Sequence, residues 1–394
     1  MKKLSVRSLE VEGKRVLTRV DLNVPLADGG VADDTRIQAV LPTVRLLRDR
    51  GARVVLMSHL GRPKGERRPE LSLAPVAAHL GLLLGEGVGI APDSIGDEVE
   101  HMTRALEPGE VLLLENLRFH PGEEKNDDSH AQALARMGDA YVNDAFGSAH
   151  RAHASTVGVA KLLGPAACGL LMERELDALG AIMSDPAHPF VAILGGAKIS
   201  GKIDVIENLL PRVDSLLIGG GMMFTFLRAM GLSVGKSLVE TDRIEMASSL
   251  LASAGEKIIL PVDCRVAHSI DAAEEPDEIM ADEIPDDMAG VDIGAATIEL
   301  FAGHLAEART IFWNGPLGVF EVDAYAQGTL EVARLVGVAT GRGATSVIGG
   351  GDSVAAIKRS GHADDVTHLS TGGGATLEFI EGKELPGVAV LAEA

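Results

Sequence analysis

Cysteine is nearly missing from this chain: among 394 residues there are only Cys168 and Cys264, and they form no CxxC pair. Two such residues exclude a disulfide framework and read as reduced, packed thiols. No apolar run reaches the roughly 18 to 20 residues of a membrane-spanning helix. The opening MKKLSVRSLEVEGKR lacks the apolar core of a signal peptide, so a cytoplasmic protein is expected. Glycine is plentiful at 46 residues but follows no period, which excludes a collagen-like chain, and 46% apolar residues exclude a disordered one. Positive charge is scarce: the formal net charge of −21 argues against a sequence-independent grip on nucleic acid.

The deficit is uneven. Residues 1–180 carry 22 Lys and Arg against 26 Asp and Glu, whereas the remainder carries 14 against 31. Any anion site must therefore be built from locally gathered cations. The length fits two or three domains at roughly 100 to 200 residues each. Along the chain a strand, loop, helix rhythm repeats. VLTRVDLNV reads as a strand, and DTRIQAVLPTVRLLRDRG sets Ile37, Val40, Leu41, Val44 and Leu47 at helical spacing. RVVLMSH is a strand again. EVLLLENLRF, DAYVNDAF, PFVAILGG, SLLIGGG, KIILPVD, TIFWNG, TSVIGGG and VTHLSTGGG continue the series, with helical GKIDVIENLLPRV and ETDRIEMASSLLASAG between them. Such apolar strands alternating with helices predict an α/β fold of parallel sheets covered on both faces. GPAACGLLMERELDALGAIMSDPAHP, a helical pattern closed by a Pro-containing stretch, is the candidate boundary at about 165–188.

In the second half strand after strand ends in glycine: Gly195–Gly196, Gly219–Gly221, Asn314-Gly315-Pro316, Gly349–Gly351 and Gly372–Gly374. Ligands of open α/β sheets bind at the carboxyl ends of the strands, where helix N-termini offer N–H groups to phosphates. One such loop is weak evidence, but five imply a large anion, a nucleotide. The first half supplies the cations, most of them at or just past a strand end: Arg19, Arg36, His59, Arg62, Arg118, His150 and Arg151. A ring of guanidinium forks suits a small polyanion.

Other signatures fail. GLSVGKS has three residues between its glycines where a phosphate-cradling Walker loop needs four, and reads as a helix stop and surface loop. No GxGxxG opens a helix after a strand, which weakens a dehydrogenase reading. His150 and His153 lack neighbours at zinc-ligand spacing. The charged runs ENLRFHPGEEKNDD and DAAEEPDEIMADEIPDD read as solvated loops. On the residues alone, two α/β lobes that close on an organic anion without chemistry remain a rival to an enzyme.

RVDLNVP, SHLGRP, LLLENLRFHPGEE, NDAFGSAHRAHAST, ILGGAKISGKI, IGGGMMFTFL, WNGPLGVFE, GGGDS and STGGGA, in that order, resemble phosphoglycerate kinase over nearly the whole chain. The resemblance implies a monomer of two Rossmann-like domains, each a parallel sheet flanked by helices, joined by a hinge helix. Residues 1–170 would bind phosphoglycerate, 171–187 form the hinge and 188–381 bind the nucleotide, with the tail, about 382–394, returning to the first domain. The implied reaction is reversible phosphoryl transfer from 1,3-bisphosphoglycerate to MgADP. Asp21, Asn23, Arg36, His59, Arg62, Arg118, His150 and Arg151 are implied for phosphoglycerate. For the nucleotide the resemblance implies Gly195, Lys198, Lys202, Gly219, Gly220, Gly290, Asn314, Glu321, Gly349, Gly350, Gly351, Asp352 and Ser353. Asp352 would hold Mg²⁺ through the phosphates, and Gly372, Gly373 and Gly374 would supply backbone donors. Ser353 stands where the family usually has Thr, and Asp287 and Ala295 replace its usual Trp and Pro near the nucleoside.

Phosphoryl transfer passes through a loose transition state with charge spread over oxygens, so positioning and electrostatics carry the catalysis. Arg36, Lys198, Gly373 and Gly374 are the expected catalytic groups. The acceptor is a carboxylate already ionised at neutral pH, so no general base is required.

Overall fold

The computed structural model describes residues 2–394. In the first half the apolar runs become β1 (Arg15–Val20), a small hairpin of β2 (Leu26–Ala27) and β3 (Gly30–Val31), then β4 (Arg53–Met57), β5 (Gly89–Ile90), β6 (Val111–Leu113), β7 (Ala140–Asp144) and β8 (Ala167–Cys168). Apart from the hairpin they form one sheet in the order β5-β6-β4-β1-β7-β8. Its pairs are all parallel, with Arg19 in register with Met57 and Asn143. Every residue of β1 is buried, as a central strand covered on both faces requires. The helix Thr35–Asp49 buries Ile37, Val40, Leu41, Val44 and Leu47. At roughly 1.5 to 3 kcal/mol for each fully buried aliphatic side chain, that stripe holds the helix in place.

In the second half β9 (Phe190–Leu194), β10 (Ser215–Ile218), β11 (Ile258–Ile259), β12 (Asp263–Ala267), β13 (Asp277–Met280), β14 (Ala289–Ile293), β15 (Thr310–Asn314), β16 (Thr345–Gly349) and β17 (His368–Leu369) follow. Six of them make a second parallel sheet, β11-β10-β9-β15-β16-β17. The chain falls into two compact units, one running to Asp177 and including Glu384–Ala394, the other Ala178–Lys383. The helix Leu170–Ser184 contains the change from one to the other. In the first unit the tail is stitched to the N-terminal segment: Leu4 N donates to Ala392 O at 2.8 Å and Lys3 Nζ pairs with Glu393 at 2.6 Å.

Four expectations are corrected. The strands stop short of their apolar runs, β1 at Val20 and β6 at Leu113, because beyond the ladder the backbone turns over the sheet edge. The GPAACGLL segment opens with β8, and its helix starts only at Leu170, where Asp144 Oδ1 accepts the N–H groups of Leu171 (2.9 Å) and Met172 (3.1 Å). ENLRFHPGEEKNDD is folded, since it holds the helix Pro121–Glu124 and its Glu123 is fully buried. The acidic run after Ser269 includes β13, an edge of an antiparallel sheet β13-β12-β14. Its charges escaped notice as a strand because exposed edges tolerate them. GLSVGKS braces that sheet: Ser237 Oγ accepts the Gly290 N–H at 2.9 Å.

Candidate active site

The four adjacent strands β6, β4, β1 and β7 end on one edge of the first sheet, and each feeds a loop that carries predicted residues. Asp21 and Asn23 follow β1, His59 and Arg62 follow β4, Arg118 follows β6, and His150 and Arg151 follow β7. Arg36 lies in the first turn of the helix Thr35–Asp49. Its Nη1 donates to Asp21 Oδ1 (3.3 Å) and to the Asn23 carbonyl (3.0 Å). The Asn23 side-chain oxygen accepts the Gly61 N–H at 2.9 Å, and Arg118 Nη1 donates to Gly61 O at 2.9 Å. The loop at Gly61 thus ties two predicted groups, Asn23 and Arg118, together. Buried Asn116 holds it, donating to Leu60 O (2.7 Å) and Leu71 O (2.9 Å). Arg151 Nε donates to His150 Nε2 at 3.0 Å. Arg151 and Arg62 are both exposed.

The charges interact strongly. Burial alone would raise the Asp21 carboxyl, but His59, Arg36 and Arg19 and the Asn23 N–H hold it below its ordinary value. Burial pushes His59 well below the usual imidazole range; Asp21 opposes the shift, and Arg19, Arg118 and Arg36 add to it. Desolvation likewise lowers Arg118, against the carboxylate of Glu124 at 3.2 Å. His153 falls to about 4, through burial first and then Arg19, Arg118 and Arg151. At the opposite end of β1, Arg15 is held bidentate by Asp139 at 2.6 and 3.1 Å, a purely structural use of the same side chain.

In the second unit five adjacent strands, β10, β9, β15, β16 and β17, end in the glycine loops. Those glycines mostly serve each other. A Cβ on Gly195 would lie 2.1 Å from Pro316 O, and one on Gly220, whose φ is +65°, 2.6 Å from Gly196 N. Gly195, Gly219 and Gly220 donate their N–H groups to Asn314 O, Leu194 O and Leu317 O. They bring loop backbones together, and their own N–H groups are spent within the loops. Asn314 donates to Gly349 O (2.8 Å), and buried Ser353 Oγ accepts the Gly315 N–H (2.5 Å), so both pin loops. First-turn N–H groups belong instead to the helix Gly351–Arg359, which carries Asp352, and to the short helix Gly374–Ile380 behind Gly373. Lys202 Nζ lies 3.4 Å from Asn314 O, and burial pushes it down to about 8 against the pull of Asp352 and Glu381. Lys198 is exposed.

A cavity of about 270 Å³ opens beside these loops. Glu321 and Asp352 are on its lining, and so are Met223, Phe224 and Leu317, which lie within the quoted motifs without a role assigned to them, and Leu238 and Ile270, which lie outside those motifs. Two of them, Leu238 and Ile270, are apolar yet 43% and 41% exposed, a sign that only the folded structure carries. Gly290 gives room to a ring, since a Cβ there would fall 1.9 Å from Phe224 Cζ. An apolar wall with a few acidic groups and helix N-termini at one end suits a nucleoside polyphosphate. Among the described residues no three His, Cys, Asp or Glu gather to hold an ion. A single carboxylate fits Mg²⁺, which keeps waters and binds mainly through phosphates.

The family model for phosphoglycerate kinase matches residues 6–383. The chain is 56% identical over 393 residues to phosphoglycerate kinase of Rubrobacter xylanophilus, covering 100% of this chain and 99% of that one. It is 55% identical over 397 residues to that of Moorella thermoacetica, covering 100% of each. The solved structure of phosphoglycerate kinase from Coxiella burnetii superposes with a TM-score of 0.89 at 41% identity, and that from Pyrococcus horikoshii with 0.87 at 36%, each over 98% of both chains. With two sheets of parallel strands, a cationic edge on one and an apolar cavity on the other, the chain belongs to the phosphoglycerate kinase family.

Proposed function

We propose that the two units divide the family's reaction, reversible phosphoryl transfer between 1,3-bisphosphoglycerate and MgADP, so that each binds one substrate. The observation that carries this is the pairing of one cationic strand edge with one apolar cavity. In the first unit Asp21, Asn23, Arg36, His59, Arg62, Arg118, His150 and Arg151 hold phosphoglycerate, with the guanidiniums matching its carboxylate and phosphate oxygens. In the second unit the cavity takes the nucleoside, with Glu321 for the ribose hydroxyls, and Lys198, Lys202 and the helix N-termini at Gly351 and Gly374 face the phosphates.

Asp352 would hold Mg²⁺ together with the nucleotide phosphates, and the ion would supply neutralisation of their charge. Arg36 and Lys198 stabilise the transferring group, the largest single contribution in such chemistry. In-line transfer needs both substrates within bonding reach, which we assign to closure about the helix Leu170–Ser184, excluding water from the acyl phosphate. A cytoplasmic setting belongs to the same reading, since Cys168 and Cys264 are buried free thiols.

Calorimetry tests the division. Asp352→Ala should abolish Mg²⁺-dependent turnover and MgADP binding yet bind 3-phosphoglycerate as before. Loss of phosphoglycerate binding in that variant would sink the assignment.

A further inference from the structure

Arg19, at the end of β1, is 1% exposed, so it cannot reach a ligand itself. Four of its five N–H donors are assigned. Nε donates to Ser155 Oγ (2.9 Å), whose own hydrogen goes to Glu123 Oε1 (2.6 Å). Nη1 donates to Val20 O, and one Nη2 hydrogen goes to Ser148 Oγ at 3.3 Å. The other Nη2 hydrogen meets His59 Nδ1 at 3.1 Å. A guanidinium has donors only and keeps its proton, so the nitrogen it meets is the lone-pair nitrogen of the ring. Once Nδ1 accepts, the single proton of a neutral imidazole sits on Nε2. The groups around the ring, Asp21 against Arg19, Arg36 and Arg118, together with its burial, favour that neutral form. Glu123 and Ser155 keep the guanidinium from turning away, and Glu123 is itself fully buried.

We propose that Arg19 is a positioning residue that fixes His59 as its Nε2–H tautomer, so that the phosphoglycerate meets an uncharged donor among the arginines. A charged ring there would add repulsion to Arg36 and Arg118, whereas the opposite tautomer would present a lone pair to an anion. The inference rests on the reading that His59 contacts phosphoglycerate, and the test separates the two.

Nitrogen-15 NMR of the histidine-labelled wild-type enzyme at neutral pH reads the tautomer directly. A proton on Nε2 and none on Nδ1 is expected; an imidazolium, or a proton on Nδ1, would overturn the proposal. A folded Arg19→Met enzyme should show mixed tautomers and a KM for 3-phosphoglycerate raised ~10- to 100-fold at unchanged KM for MgATP. Arg19→Lys should restore part of both. If His59 in Arg19→Met keeps a pure Nε2–H tautomer, Arg19 does not set it. Adding 3-phosphoglycerate to the wild-type enzyme should shift the Nε2 resonance. An unmoved resonance overturns the substrate contact, and with it the purpose assigned to Arg19, independently of the tautomer result.

Discussion

Arg36 Nη1 stands 3.3 Å from Asp21 Oδ1 and 3.0 Å from the Asn23 carbonyl, so one nitrogen of the guanidinium is anchored by β1's own loop. With its side chain 37% exposed, the remaining donors are open to a substrate oxygen. Replacing Arg36 with Ala should lower kcat by roughly 10² to 10⁵, the range of charge-stabilising groups in phosphoryl transfer. Arg36→Lys should recover little, because a point charge cannot hold the loop and the substrate together. Steady-state kinetics checks both, and a change under threefold would remove Arg36 from the transition state.

Lys202 titrates near neutrality from its buried seat, at about 8. The folded value lies below the ordinary lysine range, so the charge is lost as pH rises through about 8. With Lys202 facing the nucleotide phosphates as proposed, MgADP affinity should fall above about 8. Binding near that pH should also take up a proton, since the phosphates pull the lysine back to its charged form. Calorimetry in buffers of different ionisation enthalpy reads the uptake, and Lys202→Met should abolish it.

Asp292 presents a buried carboxyl that accepts the N–H groups of Gly328 (2.6 Å) and Ile293 (3.0 Å). Desolvation raises it to about 7, although those N–H groups and Arg265 pull the other way. Because the folded value exceeds the unfolded one, the folded protein holds this proton more tightly. Its contribution to stability is complete below the ordinary carboxylate range and is lost as pH rises through about 7. In Asp292→Asn, thermal unfolding followed across that window should show a weaker decline of Tm than the wild type shows.

Two glycines provide selective probes of the half-sites. A Cβ on Gly290 would fall 1.9 Å from Phe224 Cζ, and one on Gly387, in the tail, 2.9 Å from Ala149 Cα. Gly290→Ala should push the ring toward the nucleoside cavity and raise KM for MgATP. Gly387→Ala should disturb the loop that leads to His150 and Arg151 and raise KM for 3-phosphoglycerate. Each insertion costs roughly 1 to 3 kcal/mol of packing. Kinetics in which both variants alter both constants alike would deny that the effects are local.

The order of residues along the chain by itself determined the alternation of strand and helix, the cationic strand ends of the first half and the glycine-rich ends of the second. Periodicity and residue type are local properties, and a parallel sheet places every strand end on one edge, so the gathering of these residues on two sheet edges was legible in the sequence. Tertiary structure alone decided which backbone donors are spent. Gly195 and Gly220 turned out to be spacers because contacts with Pro316 and Gly196 come from other loops, beyond any local pattern. It likewise assembled the apolar cavity wall from segments far apart in sequence and buried Glu123 within a run of charges. The link from Glu123 through Ser155 and Arg19 to His59 belongs to the same class. Burial and hydrogen-bond direction exist only between residues that folding brings together, and they set the charge state of a site whose residue types the sequence already carries.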